Sequence, residues 1–117
     1  MENMTLQVAD HPVKKNITLL SVKGFLDSRT TPDFEKELLW LLKNKKFKLI
    51  VDLREVQYIA STGWGIFVSQ IKRIRNQKGD LILSGMNPAV KEVFELLEFN
   101  RIMKSYPNVE SAVLNGF

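Results

Sequence analysis

The segment Phe47 to Leu53 reads Phe-Lys-Leu-Ile-Val-Asp-Leu, and its consecutive Leu49, Ile50 and Val51 put hydrocarbon on both faces of any strand built from it. Such a strand needs cover on two sides, as at the centre of a parallel sheet. The flanking sequence supplies helices to provide it. Upstream, Phe34, Leu38, Leu41 and Leu42 recur at i, i+4, i+7 and i+8 and form one apolar stripe. That helix is expected to start at Thr31-Pro32, where a hydroxyl can cap and a proline at the first helical position costs nothing, and to run to about Asn44. Downstream, a loop to Ala60 leads to a helix over about Ser61 to Lys78, with Phe67, Ile71 and Ile74 facing the core and Gly79-Asp80 ending it.

Leu6 to Ala9 and Ile17 to Gly24 read as two strands of a hairpin, joined by a polar turn through Asp10-His11-Pro12 and Lys14-Lys15-Asn16. Leu81 to Leu83 forms another buried strand. Asn87-Pro88 then opens a helix carrying Val90, Phe94 and Leu97, Ile102-Met103 is a candidate short strand, and Pro107 to Asn115 a terminal helix. This order predicts an α/β fold: a mostly parallel sheet of four to five strands with an antiparallel edge strand, right-handed crossovers and about four helices. No repeat or linker divides the chain, and 117 residues suffice for one core but not two, so one domain over 1–117 is expected. In such sheets, sites favour the loops leaving the carboxyl ends of the strands, here Gly24 to Thr31 and Val56 to Gly65.

With no cysteine and one histidine, His11, thiol chemistry, disulfides and any metal site needing two imidazoles are excluded, and no metal or other cofactor is expected. No apolar run approaches the ~20 residues that cross a bilayer, and Met1-Glu2-Asn3-Met4 lacks the basic start of a signal peptide. A cytoplasmic protein without membrane insertion is the expectation. Seventeen basic against thirteen acidic residues give a net charge of +4, and without aromatics interleaved among arginines this does not point to nucleic acid. Lys43, Lys45, Lys46 and Lys48, and Lys72, Arg73, Arg75 and Lys78, cluster at the ends of the first two helices, where cations complement the helix dipole.

Ala60-Ser61-Thr62-Gly63-Trp64-Gly65 spans the junction between the central strand and the second helix. Two readings are open for its hydroxyls. Ser61 or Thr62 can cap the helix and do no more. Alternatively the helix end, with free N–H groups and the positive end of the dipole, accommodates a phosphate on serine without melting. A serine hydrolase would need a glycine where Ile59 stands and a histidine base in place of the distant His11. A dinucleotide loop would need glycine where Val68 stands. Asp27 and Asp52 could form a carboxylate pair, but turn formation explains both more simply.

Taken in order, Val22-Lys23-Gly24-Phe25-Leu26-Asp27 with Thr31-Pro32, Leu49 to Leu53, Tyr58 to Gly65, and Asn87-Pro88-Ala89-Val90 with Leu96-Leu97 resemble a STAS domain of the anti-sigma factor antagonist type. The resemblance covers about residues 5 to 115. It implies a binding partner rather than an enzyme: unphosphorylated, the antagonist captures an anti-sigma factor with serine kinase activity and so frees a sigma factor. Phosphorylation ends the capture and a serine phosphatase restores it. Position by position, the resemblance makes Ser61 the phosphoacceptor and Thr62 the neighbouring hydroxyl. Gly63 becomes the residue that lets the chain pass closely into the helix, and Asp27 a loop acid near the serine. The chain departs from the family at Ala60, where an acidic residue is usual. That departure keeps a second role open, a non-phosphorylated STAS adaptor or scaffold subunit of a lipid-transport or larger signalling complex.

Trp64 follows Ser61 within one turn and reads either as an interface anchor beside it or as core, since it lies only about 60 degrees from Phe67. Trp40 lies far round the first helix from the apolar stripe, so it is expected exposed, covered in part by the N-terminal segment or a dimer mate rather than holding a ligand. A monomer or weak homodimer fits these features.

Overall fold

Lys48–Ile59 (β3) is the middle strand of five in the computed structural model, which describes residues 4–117. Met1, Glu2 and Asn3, on which the signal-peptide expectation rests, lie outside the described residues. The other strands are Met4–Asp10 (β1), Thr18–Leu26 (β2), Asp80–Ser84 (β4) and Ser105–Tyr106 (β5), arranged side by side in chain order. β1 is antiparallel to β2, and all other neighbouring pairs are parallel. Because every crossover steps the same way, the helices Thr31–Lys43 (α1), Ser61–Asn76 (α2) and Pro88–Leu96 (α3) share one face of the sheet, and Val109–Asn115 (α4) covers the other.

Strand alternation divides the core between these layers. Leu49, Val51 and Leu53 join Leu20, Val22, Leu81 and Leu83 beneath α1 to α3, while Ile50 joins Ile17 and Ile82 beneath Ala112 and Val113 of α4. The expected apolar stripes are buried: Phe34, Leu38, Leu41 and Leu42 on α1, and Phe67, Ile71 and Ile74 on α2. Asn87 caps α3, its side chain accepting the Val90 N–H at 2.8 Å. Among the described residues no helix is long and apolar enough to cross a membrane.

Several elements differ from the sequence expectation. β3 continues six residues beyond Leu53, through what reads as a loop. Its register against β2 slips by one residue between Ser21 and Lys23 and again between Gly24 and Phe25. Each slip inserts an extra residue in β3, so its buried positions recur every third residue, at Leu53, Val56 and Ile59, and hide the alternation. Gly24 occupies this irregular stretch with φ 105, a left-handed value that a side chain resists. β5 lies at Ser105–Tyr106 rather than Ile102-Met103: Met103 is buried in the main core, and a 3₁₀ turn over Phe99–Arg101 uses up the intervening chain. α2 stops at Asn76, with Lys78 in a left-handed conformation beyond it. α4 starts only at Val109, capped by Asn108. Leu97, expected in the core, ends α3 and is 57% exposed.

Candidate functional site

At the carboxyl end of the sheet β2 and β3 are tied together where they finish, the Ala60 N–H donating to the Leu26 carbonyl at 2.8 Å. From there β3 passes through Ala60 alone into α2, and β2 through the short loop 27–30 into α1. The capping expectation fails at both helices. Thr30, not Thr31, precedes α1, and its hydroxyl points back into the loop, accepting the Asp27 N–H at 2.9 Å and donating to the Phe25 carbonyl at 2.8 Å. At α2 the capping position belongs to Ala60, extended at φ −81 and ψ 170, which has no side-chain acceptor. Ser61 and Thr62 are the first two helical residues, both exposed. The first intrahelical bonds to the Ala60 carbonyl come from Gly63 at 3.0 Å and Trp64 at 3.1 Å, so the N–H groups of Ser61 and Thr62 stand ahead of them at the positive end of the dipole.

Asp27 organises the loop opposite. Its carboxylate accepts the backbone N–H of Arg29 at 2.9 Å and of Thr30 at 3.3 Å, with the Arg29 guanidinium 3.5 Å away. The Arg29 N–H is the main cause that holds this carboxyl below its usual value, partial burial opposing it, and the Thr30 N–H and the Arg29 charge add to the lowering. The Asp27 carbonyl accepts the Thr31 hydroxyl at 2.6 Å, and that hydroxyl lies 3.3 Å from the Thr62 hydroxyl. Since the single Thr31 proton is engaged by Asp27, Thr62 donates to Thr31. A hydrogen-bonded chain thus runs from the Asp27 loop through α1 to the residue after Ser61.

Gly63 is buried where α2 leaves the sheet. A Cβ there would lie 2.9 Å from Ile59 Cγ2 and 3.0 Å from Leu26 Cγ, two core side chains. The close passage expected of this glycine is therefore present.

Trp64 is not an exposed anchor. It is 2% exposed, stacks on Phe99 with ring centroids 5.2 Å apart and meets the edge of Phe67 at 6.0 Å; its indole N–H has no partner among the described residues. The helical geometry that puts it near Phe67 wins over the reading that projects it beside Ser61. The exposed aromatics at this end are Tyr58, 54% exposed, and Phe25, which face each other in register across β3 and β2. A pocket of about 130 Å³ opens beside Tyr58, floored by Trp64 and walled by Val90 and Val93 of α3. A larger depression, about 480 Å³, follows the outer side of α3 from Pro88 to Leu96 and does not include Ser61. Sequence reasoning missed the exposed pairing of Tyr58 and Phe25, because β3 read as ending at Leu53. Aromatic residues just ahead of two loops at strand carboxyl ends were the available signal.

Asp52 does not pair with Asp27. It is buried, and its carboxylate is held by Arg54 through the backbone N–H at 3.1 Å and the guanidinium at 3.2 Å. Among the described residues no three potential ligands group as a metal site.

The sequence profile described as "STAS domain" matches residues 9–112. The anti-sigma-B factor antagonist of Listeria monocytogenes is 33% identical over 95 residues, spanning 81% of this chain and 82% of its own. Among solved structures, an anti-sigma factor antagonist from Mycobacterium paratuberculosis matches with a TM-score of 0.85 over 95% of this chain and 92% of its own, at 22% identity. The Bacillus cell fate determinant SpoIIAA in its phosphorylated form matches with a TM-score of 0.70 over 97% and 100%, at 16% identity. At these identities the two structures speak to the fold alone.

Proposed function

The chain belongs to the STAS domain family and is of the anti-sigma factor antagonist type, and from that premise we propose a partner switch controlled at Ser61. Unphosphorylated, the protein captures an anti-sigma factor with serine kinase activity and so frees a sigma factor. Phosphorylation of Ser61 ends the capture, and a serine phosphatase restores it.

The observation that carries this reading is the setting of Ser61: exposed, first in α2, and ahead of the first intrahelical bond. A phosphate there gains the N–H groups and dipole of the helix end, so it can be added without unfolding the domain. Its charge of about −1.5 to −2 must then be desolvated wherever a partner closes over that end. Tyr58 and Phe25, exposed at the same carboxyl end of the sheet, supply the apolar contact for a partner, the role that Trp64 cannot fill from the core. Asp27 acts as a positioning residue through the loop and the Thr31–Thr62 contact. SpoIIAA, a neighbour in fold, has a phosphorylated form of its own.

The test is to incubate the protein with an anti-sigma factor kinase and ATP and map the phosphate by peptide mass spectrometry. Phosphate on Ser61, absent from Ser61→Ala, is the expected result. Phosphate elsewhere, or none with any kinase that binds the chain, would turn the reading towards a constitutive adaptor, which the alanine at position 60 also suits.

A further inference from the structure

We propose that the end of the molecule opposite Ser61 is a peripheral docking surface for an anionic lipid bilayer. Strand register places Asp10 beside Thr18, Thr18 beside Leu49 and Lys48 beside Asp80, so the β1–β2 turn and the α1–β3 and α2–β4 connections emerge together at the sheet's amino end. The three stretches 10–18, 43–48 and 73–80 hold nine of the seventeen basic residues and only two of the thirteen acids, Asp10 and Asp80. Both acids are neutralised, Asp10 by Lys46 at 3.4 Å and Asp80 by Arg75 at 3.1 Å and Lys104 at 3.6 Å. The other cations have no ion-pair partner among the described residues. A net charge of +4 for the whole chain conceals this polarity.

Helix dipoles account for only part of the pole. Lys14 and Lys15 sit in a β-turn and Lys48 opens a strand, with no helix end to complement. Lys45 and Lys78 follow α1 and α2 at φ 61 and φ 64, left-handed positions where glycine is at ease and a lysine is strained. The turn is built rather than loose: His11 Nδ1 accepts the N–H groups of Val13 at 3.2 Å and Lys14 at 3.0 Å. Between Pro12 and Lys14 it presents Val13, 81% exposed, and Trp40 on the last turn of α1 is 55% exposed. Lysines with a protruding aliphatic tip and a rim tryptophan match a headgroup layer, which offers diffuse negative charge over hydrocarbon. The unpaired cations are lysines apart from Arg73, so the forked arginine contacts that suit nucleic-acid phosphates are largely missing. Docked this way, the protein holds Ser61 away from the membrane and free for its partner.

The experiment is vesicle flotation of the full chain with phosphatidylcholine alone, or mixed with phosphatidylserine, at low and high salt. Binding is expected only to the phosphatidylserine vesicles, weakening with salt. Lys14→Glu/Lys15→Glu should weaken it by roughly tenfold or more, since each basic residue near such a surface contributes several-fold. Lys45→Gly removes a charge while relieving the left-handed strain, so it should weaken binding with the thermal midpoint kept or raised, which separates lost docking from lost folding. Trp40 fluorescence should shift to the blue on docking, with no such shift in Trp40→Phe. Absence of phosphatidylserine-dependent binding, or binding indifferent to these lysines, would overturn the proposal. So would lysine-dependent binding to duplex DNA or RNA by a chain that ignores the vesicles.

Discussion

The hydroxyl of Thr31 lies 3.3 Å from that of Thr62, and this contact joins the first turns of the two helices that leave the carboxyl end of the sheet. Thr31 also donates to the Asp27 carbonyl at 2.6 Å, so the loop acid and the residue beside Ser61 are coupled through one hydroxyl. Thr31→Val and Thr62→Val should each cost about 1 kcal/mol of stability, and the double variant less than their sum, because both break the same bond. Denaturant unfolding of the four proteins measures the coupling; strict additivity would show that the contact carries no energy.

Ala60 leaves α2 without a side-chain cap. Ala60→Asp places an acceptor at the capping position and a negative charge at the positive end of the dipole, and should stabilise the protein by about 1 kcal/mol. A carboxylate there also lies beside any phosphate on Ser61, so the gain should shrink in the Ser61→Asp background. Thermal unfolding of the single and double variants checks both statements.

The two glycines of α2 should respond in opposite directions. A Cβ at Gly63 meets Ile59 and Leu26 inside the packed core, so Gly63→Ala should destabilise by about 1–3 kcal/mol and Gly63→Val by more. At exposed Gly65 nothing lies within 4 Å of the added atom, and Gly65→Ala should stabilise by roughly 0.5–1 kcal/mol through helix propensity. Urea midpoints of the variants decide it.

Acid should loosen the Asp27 loop. The carboxylate's value is held below its usual 3.8, chiefly by the Arg29 N–H. A depressed carboxyl contributes stability that is present above the unfolded value and disappears as pH falls through the folded one. The wild type should therefore lose, below about pH 4, an increment of thermal midpoint that Asp27→Asn never had. Melting curves from neutral pH to strong acid, run on both proteins, would contradict this if they stayed parallel.

The architecture was legible in the sequence because the two-faced Leu49-Ile50-Val51 run and the helical stripes of α1 and α2 state their periods plainly. Three features were not. The two register slips give β3 a three-residue spacing that belongs to neither strand nor helix, so Val56 to Ile59 read as loop. That concealed the exposed pair Phe25 and Tyr58. The helix starts were placed one residue too late at α1 and on the wrong side chains at α2, because threonine and serine favour caps while here the strand ends and Asp27 fix the entry geometry. Trp64 stood between core and surface by angle alone, and the aromatic cluster with Phe67, Phe94 and Phe99 that buries it is assembled from three separate segments.

Trp64 and Tyr58 should accordingly part in their effects. Trp64→Ala empties a core position and should cost about 3–5 kcal/mol. Tyr58→Ala should leave the thermal midpoint nearly unchanged and weaken binding of an anti-sigma factor. Unfolding and binding measured on the same two variants separate the roles, and a Tyr58→Ala protein that binds as the wild type does would remove that residue from the docking surface.

The most direct measurement is a calorimetric titration of an anti-sigma factor with the wild type, Ser61→Ala and Ser61→Asp, each first shown to be folded. Ser61→Asp places a negative charge at the positive end of the helix dipole and should fold as the wild type does. The expected result is matching affinity for the wild type and Ser61→Ala, with a loss of tenfold or more for Ser61→Asp. Equal affinity of all three would contradict a switch at Ser61.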